Sequence, residues 1–278
     1  MSISATSIND MSGLSVIVTG AGTGIGLMIG RTYVSHGATV YLVGRRREKL
    51  EEAVTSIEEL KAPGKAVILQ GDVSTQEGQS QLLSDYQNAS GQDHIDVLVC
   101  NAGIYRGESK QWSPTLSVDE MSAQFLASEV DDWAETANVN VTSQYFLIGR
   151  FLPLLAKAKD GNVVVTSSIA GVHYSASSSN PSYSASKAAI NHLVKLMANR
   201  LAPLYIRINA IAPGMFPSEM NNAESQKRLA PAVQKIPAKR LGNERDMGQA
   251  ALFLSMCRYC DGQILVVDGG RSLGANGQ

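Results

Sequence analysis

The sequence predicts an α/β protein with a doubly wound parallel sheet, and three observations support this fold class. Short runs rich in β-branched residues alternate with longer runs of helical period along the chain. The short runs are apolar on both faces, which is typical of strands buried inside a parallel sheet. No linker, repeat or low-complexity tract interrupts the alternation, so a single domain is expected.

Each predicted element follows from its local composition. Seven runs have the β-branched content of strands and end in turn residues; in chain order they are LSVIVTG, ATVYLVG, KAVILQGDV, HIDVLVCNAG, GNVVVTSS, YIRINAIAPG and QILVVDGG. Six runs have helical period; they are IGLMIGRTYVSHG, REKLEEAVTSIEELK, GQSQLLSDYQNAS, DWAETANVNVTSQYFLIGRFLPLLAKA, AAINHLVKLMANRL and NERDMGQAALFLSM. We expect one domain over residues 13–278, preceded by a flexible leader at residues 1–12.

Composition excludes several classes of protein. A chain of 278 residues with 44% hydrophobic content can bury a sizeable core. A net charge of −1 carries no signature of nucleic-acid or anionic-membrane binding. The N-terminus lacks a signal peptide and no apolar run approaches the roughly 20 residues of a membrane span. Three cysteines, an odd number, suit a reducing compartment. We therefore expect a soluble cytoplasmic protein without a structural metal.

The turn after the first strand, TGAGTGIG at residues 19–26, has the composition of a phosphate-binding loop. Its glycines at 20, 24 and 26 would let the backbone approach a diphosphate closely. The helix that follows presents free N–H groups and the positive end of its dipole. Because the glycines follow a strand and open a helix, they predict a dinucleotide site.

The second strand ends in Gly44, followed by three arginines at residues 45–47. NAD sites of this architecture place a carboxylate there, which accepts hydrogen bonds from the adenosine ribose. A guanidinium instead matches a 2′-phosphate, so the arginines predict NADP. The alternative is a solvated charge cluster, although basic residues at a helix N-terminus oppose its dipole.

The segment YSASK puts Tyr183 and Lys187 four positions apart, just before a run of helical period. In a helix these side chains lie one turn apart on the same face. The two interpretations are a surface pair, with the ring packed flat and the ammonium in water, and a proton-transfer pair. The rest of the chain favours the second.

Taken together, these motifs resemble the short-chain dehydrogenase/reductase family. The resemblance extends over about residues 13–272 and rests on the glycine turn, YSASK, Asp72, NAG at 101–103, Asn140, Ser168 in SSIAG and PG at 213–214. It implies a Rossmann-type fold, an NADP(H) cofactor, a small-molecule carbonyl substrate and a homodimer or homotetramer. The stretch RINAIAPGMFPSEM is similar to the 3-oxoacyl reductase-like members.

The resemblance also implies roles for individual side chains. Tyr183 would exchange a proton with the substrate oxygen, and Lys187 would bind the nicotinamide ribose. An ammonium about 4 Å from a phenol is worth about 4 kcal/mol at an effective dielectric near 20, which lowers a pKa by about three units. We therefore expect Lys187 to lower the pKa of Tyr183 towards neutrality. Ser168 would hold the substrate carbonyl, with Ser167 as the neighbouring alternative.

Asn140 matches the asparagine that positions a water relay behind the lysine, although an isolated helical asparagine can also be a solvated or capping residue. Asp72 matches an acid that contacts the adenine, with a cap for a helix near Ser74 as the alternative. The resemblance implies cofactor contacts at Gly20, Thr23, Gly24, Ile25, Gly26, Arg45, Arg46, Asp72, Val73, Asn101, Ala102, Gly103, Tyr183, Lys187, Pro213, Gly214, Phe216 and Ser218.

Two departures from the family pattern concern the substrate. An insertion at about residues 105–130 and a longer stretch between Ser168 and Tyr183 both follow predicted strands at the catalytic end of the sheet. With the loop at about 214–240, they are expected to wall the substrate pocket, where Met215, Phe216 and Met220 would give an adaptable apolar surface. The alternative is that these are tolerated surface insertions.

The sequence therefore predicts an NADP-dependent carbonyl reductase or alcohol dehydrogenase. A non-redox isomerase or dehydratase on the same scaffold stays open, since the same four side chains fit proton transfer alone. A nucleotide-binding regulatory protein would need no proton donor. A methyltransferase would need an acid after the second strand, where the chain has Gly44 and Arg45.

Overall fold

The computed structural model describes residues 4, 8–107, 113, 115–173, 180–218 and 233–273. Within them, seven strands form one sheet with the order β3-β2-β1-β4-β5-β6-β7. All neighbouring strands are parallel. After β3 the chain crosses back over the sheet and adds β4 on the other side of β1, so the point where the strand order switches lies between β1 and β4.

The strands, in chain order, are β1 Ser15–Thr19, β2 Thr39–Gly44, β3 Lys65–Gln70, β4 Val97–Cys100, β5 Asn162–Thr166, β6 Arg207–Pro213 and β7 Ile264–Val267. The principal α-helices of the described residues are α1 Gly24–Ser35, α2 Arg47–Glu58, α3 Gln76–Ser90, α4 Val118–Leu126, α5 Val130–Ala137, α6 Ser143–Leu155, α7 Pro181–Leu201 and α8 Glu244–Met256. A π-helical segment, Asn138–Thr142, joins α5 to α6.

Helices cover both faces of the sheet and create two hydrophobic cores. One core packs α3, α6 and α7 against the strands, with Tyr86, Phe151 and Ile190 at its centre. The other packs α1, α2 and α8 against the opposite face, with Ile29 and Met247 fully buried. Burial of the central strands on both sides explains their continuous apolar sequences. The predicted doubly wound fold is confirmed.

The structure adds two features to the predicted elements. Helix α4 lies within the insertion and begins with a capping box, in which Ser117 and Glu120 exchange hydrogen bonds. That Ser-x-x-Glu pattern is a sequence signal for a helix start. The single long helix predicted from Asp132 onwards contains the π-helical segment, which widens the helix at Asn140.

Part of the expected leader is packed against the fold. Met11 is fully buried in the second core, and its backbone N–H donates to the His36 carbonyl at 2.8 Å. The packed core thus includes Met11 from the expected leader, because this packing removes its apolar side chain from water; the boundary at residue 12 stays a prediction. Residues 1–3 and 5–7 lie outside the described residues.

The fold brings the candidate functional residues to one edge. The glycine turn follows β1, the NAG segment follows β4, and Ser168 follows β5. Because parallel strands end at the same edge, these segments meet beside the switch point, where open α/β sheets bind ligands. Among the described residues, no helix has the length and apolar character that a membrane span requires.

Candidate active site

Tyr183 and Lys187 lie on α7, in its first two turns. The helix begins at Pro181, earlier than the apolar run alone indicates, because Asn180 caps it. Its side-chain oxygen accepts hydrogen bonds from the backbone N–H of Tyr183 at 2.9 Å and from the Ser182 hydroxyl at 2.8 Å. This cap, together with proline at the first helical position, defines where the helix starts and which way Tyr183 projects.

Of the two adjacent serines, Ser168 interacts with Tyr183. The Ser168 side chain acts on the Tyr183 phenol, where its influence lowers the pKa of that group. The Ser168 hydroxyl also accepts a hydrogen bond from the backbone N–H of Ala170 at 3.1 Å. Ser167 is buried and its hydroxyl donates to the Lys187 carbonyl at 3.4 Å, so it supports the α7 backbone instead.

Lys187 is buried behind the tyrosine. Its Nζ donates to the Thr166 carbonyl at 2.8 Å and lies 5.6 Å from the centroid of the Tyr183 ring. Burial favours the neutral amine and lowers the pKa of Lys187 from 10.5 to about 8. The ammonium is therefore charged at neutral pH and titrates just above it.

The expected lowering of the Tyr183 pKa is not found. Burial raises the pKa of the phenol above its usual range; the hydrogen bond with Ser168 lowers it, and Tyr105 raises it. The prediction considered only the attraction between phenolate and ammonium, and it omitted the cost of removing the phenolate from water. In the structure Tyr183 is thus a protonated phenol at neutral pH, the form that donates a proton.

Asn140 clamps the loop after β4. Its side-chain oxygen accepts from the Ile104 N–H at 2.8 Å, and its side-chain nitrogen donates to the Ile104 carbonyl at 3.0 Å and to the Ser186 hydroxyl at 3.0 Å. It is almost fully buried, so the solvated interpretation is wrong. Gly103 packs beside it, where an added Cβ would lie 3.1 Å from the Asn140 oxygen.

The glycine turn has the geometry of a close-approach loop. Gly20 and Gly24 have φ of 63° and 57°, in the region that favours glycine. At Gly26 an added Cβ would lie 2.3 Å from the Gly20 carbonyl oxygen. The Thr23 side chain makes no capping hydrogen bond to α1, which leaves room for a ligand at that helix N-terminus. Ile25 follows and packs partly against the second core.

The NAG segment is tied to the glycine turn. The Thr19 hydroxyl accepts from the backbone N–H groups of Asn101 and Ala102 at 2.9 and 3.0 Å. The Asn101 side-chain nitrogen donates to the carbonyls of Thr19 and Gly20 at 2.9 and 3.2 Å. The Asn101 amide, predicted as a cofactor contact, thus shapes the turn.

Arg45 and Asp72, which were predicted as cofactor contacts, lie close to each other. The Arg45 side chain is 67% exposed and its guanidinium lies 4.0 Å from the Asp72 carboxylate. Burial raises the pKa of Asp72, but hydrogen bonds from Ser74 and the charge of Arg45 outweigh it and lower the pKa. Asp72 accepts from both the N–H and the hydroxyl of Ser74, whereas Thr75 caps α3. The capping alternative for Asp72 is therefore wrong.

Of three other predicted cofactor contacts, two have side chains buried in the hydrophobic cores. Arg46 occupies the N-cap position of α2. The Val73 side chain is buried in the first core, where it packs away from solvent. Phe216 is 3% exposed and belongs to the second core, and a Cβ at Gly242 would overlap its ring. The aromatic side chain therefore cannot line an adaptable substrate surface.

The segment after β6 also reaches the glycine turn. Pro213 ends β6, and the N–H of Gly214 donates to the Val267 carbonyl at 2.9 Å. Ser218 lies against Gly24, since a Cβ added there would be 3.1 Å from the Ser218 Cβ. Met220 and most of the predicted substrate loop lie outside the described residues.

Sequence reasoning missed two residues beside Tyr183. The Tyr105 ring lies 5.2 Å from the Tyr183 ring, centroid to centroid, at an angle of 49°. Asn180 caps α7 through its side-chain oxygen and donates through its side-chain nitrogen to the Arg106 carbonyl. The Asn-Pro start of α7 was a readable capping signal. Tyr105 begins the predicted insertion at about residues 105–130, but no sequence signal indicated that its ring would contact Tyr183.

Comparisons with known proteins agree with this architecture. The family described as short chain dehydrogenase matches residues 15–229. The chain is 36% identical over 284 residues to the short-chain dehydrogenase/reductase PhomF of Diaporthe leptostromiformis, covering 97% of this chain and 95% of the relative. It is 31% identical over 260 residues to the 3-oxoacyl-[acyl-carrier-protein] reductase FabG of Chlamydia pneumoniae, covering 93% and 96%.

A solved structure described as the Pseudomonas aeruginosa RhlG/NADP active-site complex is similar with a TM-score of 0.81 and 27% identity, covering 95% of this chain and 98% of that one. The seven-stranded parallel sheet with helices on both faces agrees with these matches. The chain belongs to the short-chain dehydrogenase/reductase family of oxidoreductases.

Proposed function

We propose that the protein is an NADP(H)-dependent oxidoreductase that interconverts a small-molecule ketone and its secondary alcohol. The observation that carries this proposal is the buried Lys187 ammonium 5.6 Å from the centroid of the Tyr183 ring, with the Ser168 side chain acting on the same phenol. Two hydroxyls that converge on one point can bind a carbonyl oxygen and protonate it. Expectations of a cytoplasmic location and a homo-oligomer stay predictions.

A nicotinamide dinucleotide fits the residues that surround this pair. The glycine turn is a cradle that side chains would fill, since a Cβ at Gly24 or Gly26 meets neighbouring atoms within 3.1 Å. The N-terminus of α1 adds N–H donors for a diphosphate. When bound, the cofactor supplies or accepts the hydride of the reaction. Lys187 is the candidate to hold the nicotinamide ribose.

The NADP form is favoured by charge. Arg45 is two-thirds exposed at the end of β2, and Gly44 before it contributes no carboxylate that would repel a 2′-phosphate. A guanidinium binds a phosphate through paired, charge-assisted hydrogen bonds. The Pseudomonas aeruginosa relative, described as an NADP complex, agrees with this choice.

The chain's own residues would act on the substrate oxygen. Ser168 orients the carbonyl and stabilises negative charge that develops on its oxygen. Tyr183, kept protonated by burial, donates its proton to that oxygen during reduction. The ammonium of Lys187 stabilises the phenolate that is left, and Asn140 holds the loop beside it through Ile104. Alcohol oxidation would follow the reverse order.

Anaerobic mixing with NADPH and a panel of ketones tests the proposal. We expect loss of NADPH absorbance with formation of one molecule of secondary alcohol for each NADPH consumed. Rearranged or dehydrated product without net NADPH oxidation would instead assign the site to non-redox proton transfer. Cofactor binding without conversion of any substrate would favour a nucleotide-binding regulatory protein.

A further inference from the structure

We propose that Tyr105 determines substrate specificity, favouring ketones whose carbonyl is attached to a flat aromatic or conjugated ring. This inference rests on the proposed carbonyl reduction. The sequence placed Tyr105 only at the start of the insertion that is expected to wall the substrate pocket; its individual role is inferred from its contact with the candidate proton donor. The structure therefore connects substrate class to a residue outside the Ser168, Tyr183 and Lys187 cluster.

The Tyr105 ring packs beside the ring of the candidate proton donor, Tyr183. Its centroid lies 5.2 Å from that of Tyr183, with the rings tilted by 49°, and the residue is 37% exposed. The Tyr105 ring therefore has a solvent-accessible part beside the Tyr183 phenol. A substrate oxygen bound to Tyr183 and Ser168 brings the groups on its carbonyl carbon close to the Tyr105 ring.

Hydrogen bonds anchor the backbone on both sides of Tyr105. Before it, the side chain of Asn140 bonds both the N–H and the carbonyl of Ile104. After it, the carbonyl of Arg106 accepts a hydrogen bond from the side chain of Asn180. The Arg106 guanidinium donates two hydrogen bonds to the Glu135 carboxylate, at 2.9 and 3.0 Å. A ring on an anchored backbone loses little conformational entropy when a ligand binds.

An aromatic ring of the substrate would interact with the Tyr105 ring more favourably than a saturated ring would. Two aromatic rings gain attraction beyond burial when their centroids are about 4.5–7 Å apart, which corresponds to roughly two- to tenfold in affinity. A saturated ring of equal carbon count is thicker and has no π face. The exposed Val172, four residues after Ser168, adds apolar surface on the loop after β5. If Tyr105 only shielded Tyr183 from water, flat and saturated ketones would respond alike to its replacement.

The test compares the binding of 1-tetralone and 1-decalone, which share a fused bicyclic skeleton and differ in one aromatic ring. Isothermal titration is performed on the protein saturated with NADP⁺, so no reduction occurs during the measurement. We expect the wild-type complex to bind 1-tetralone about two- to tenfold more tightly than 1-decalone. Tyr105→Phe should keep this preference, and Tyr105→Leu should remove it.

Several results would overturn the inference. They are a wild-type complex that does not bind 1-tetralone, a Leu variant that keeps the preference, and a Phe variant that loses it as the Leu variant does. Unchanged NADP⁺ affinity verifies that both variants are folded. NADPH oxidation with each ketone is measured in parallel. If 1-tetralone binds selectively and is not reduced, the proposed reaction fails while the aromatic preference stands.

Discussion

The side-chain oxygen of Asn180 accepts a hydrogen bond from the backbone N–H of Tyr183 at 2.9 Å. The N-cap of α7 is thus attached directly to the residue that carries the catalytic phenol. The other end of the same amide donates to the carbonyl of Arg106, on the loop that carries Tyr105. One buried side chain therefore sets the relative position of two aromatic rings.

Asn180→Ala should lower kcat strongly and lower the free energy of unfolding only moderately. Loss of an N-cap costs about 1 kcal/mol of unfolding free energy, and the freed first turn would also misplace the Tyr183 hydroxyl. We expect kcat to fall at least about tenfold, because small displacements of a positioned group are costly in rate. Steady-state kinetics and urea unfolding measure the two effects.

The matched control is Thr75→Ala, which removes the cap of α3 far from Tyr183. It should cost similar stability and leave kcat unchanged. Asn180→Asp keeps the acceptor for Tyr183 but sets a carboxylate oxygen against the Arg106 carbonyl, so it should recover only part of kcat. Equal kcat in the Asn180→Ala and Thr75→Ala variants would contradict the positioning role.

Tyr183→Phe should abolish turnover while the cofactor still binds. The substitution removes one hydroxyl and keeps the ring that packs against Tyr105. General acid catalysis is typically worth at least about a hundredfold, and the loss should appear in kcat. Tyr145→Phe, at an exposed position on α6, is the control. Retention of more than about a tenth of the wild-type rate would exclude Tyr183 as the proton donor.

Lys187 should make stability depend on pH. Its pKa is about 8 in the folded chain against 10.5 ordinarily, so between these values the unfolded chain holds a proton that the folded chain has released. Unfolding free energy therefore rises with pH across this window. Relative to Lys187→Met, the wild type should gain about 3 kcal/mol between pH 7.5 and pH 10.5.

Urea unfolding of the cofactor-free protein at several pH values measures this difference. Lys195→Met, at an exposed position on the same helix, serves as the control and should give a difference that does not change with pH. If the difference between wild type and Lys187→Met stays constant or falls with pH, the buried ammonium is not desolvated as the structure indicates.

Cofactor preference should depend on Arg45. A hydrogen bond to a charged group contributes roughly 1.5–3 kcal/mol, so the wild type should prefer NADPH over NADH by about ten- to a hundredfold or more. Arg45→Ala should remove most of that preference, and Arg47→Ala is a matched control because Arg47 is similarly exposed and paired with Glu51.

Adding Gly44→Asp to Arg45→Ala should reverse the preference by introducing repulsion. A Cβ added at Gly44 would lie 3.3 Å from a methyl carbon of Leu50, a tight contact that a small movement of that side chain relieves. Titration of each variant with both cofactors measures the effect. Equal affinity of the unmodified protein for NADH and NADPH would mean that the arginines are only surface charge.

Helices α6 and α7 should pair with a second copy of the chain. Their outer faces expose large apolar side chains, with Phe146 at 42% and Leu196 at 45%, and such surface is typical of an interface. We expect light scattering to show a homo-oligomer, most simply a tetramer, at micromolar concentration. Phe146→Glu should dissociate it, whereas Leu204→Glu, on an exposed turn after α7, should not. A monomeric wild type would contradict the prediction.

Much of the fold was readable because its signals are local. The β-branched runs, the glycines at residues 20, 24 and 26, and the spacing of Tyr183 and Lys187 are properties of short segments. Their order along the chain indicated the doubly wound sheet, and the rule that ligands bind at strand ends indicated where the site would form. Helix α4 was also readable from its Ser-x-x-Glu capping pattern.

Local patterns thus predicted the strands, most of the helices, the edge where the site forms and the chemical groups available there. Which of those groups face the site depended on how distant segments pack together. This packing directed the Asn101 and Asn140 amides to backbone partners, buried Phe216 in a core and brought Tyr105 to Tyr183. It also set the pKa directions of Tyr183 and Lys187. Each outcome depends on desolvation and on contacts between segments distant in the chain, and no local pattern contains that information.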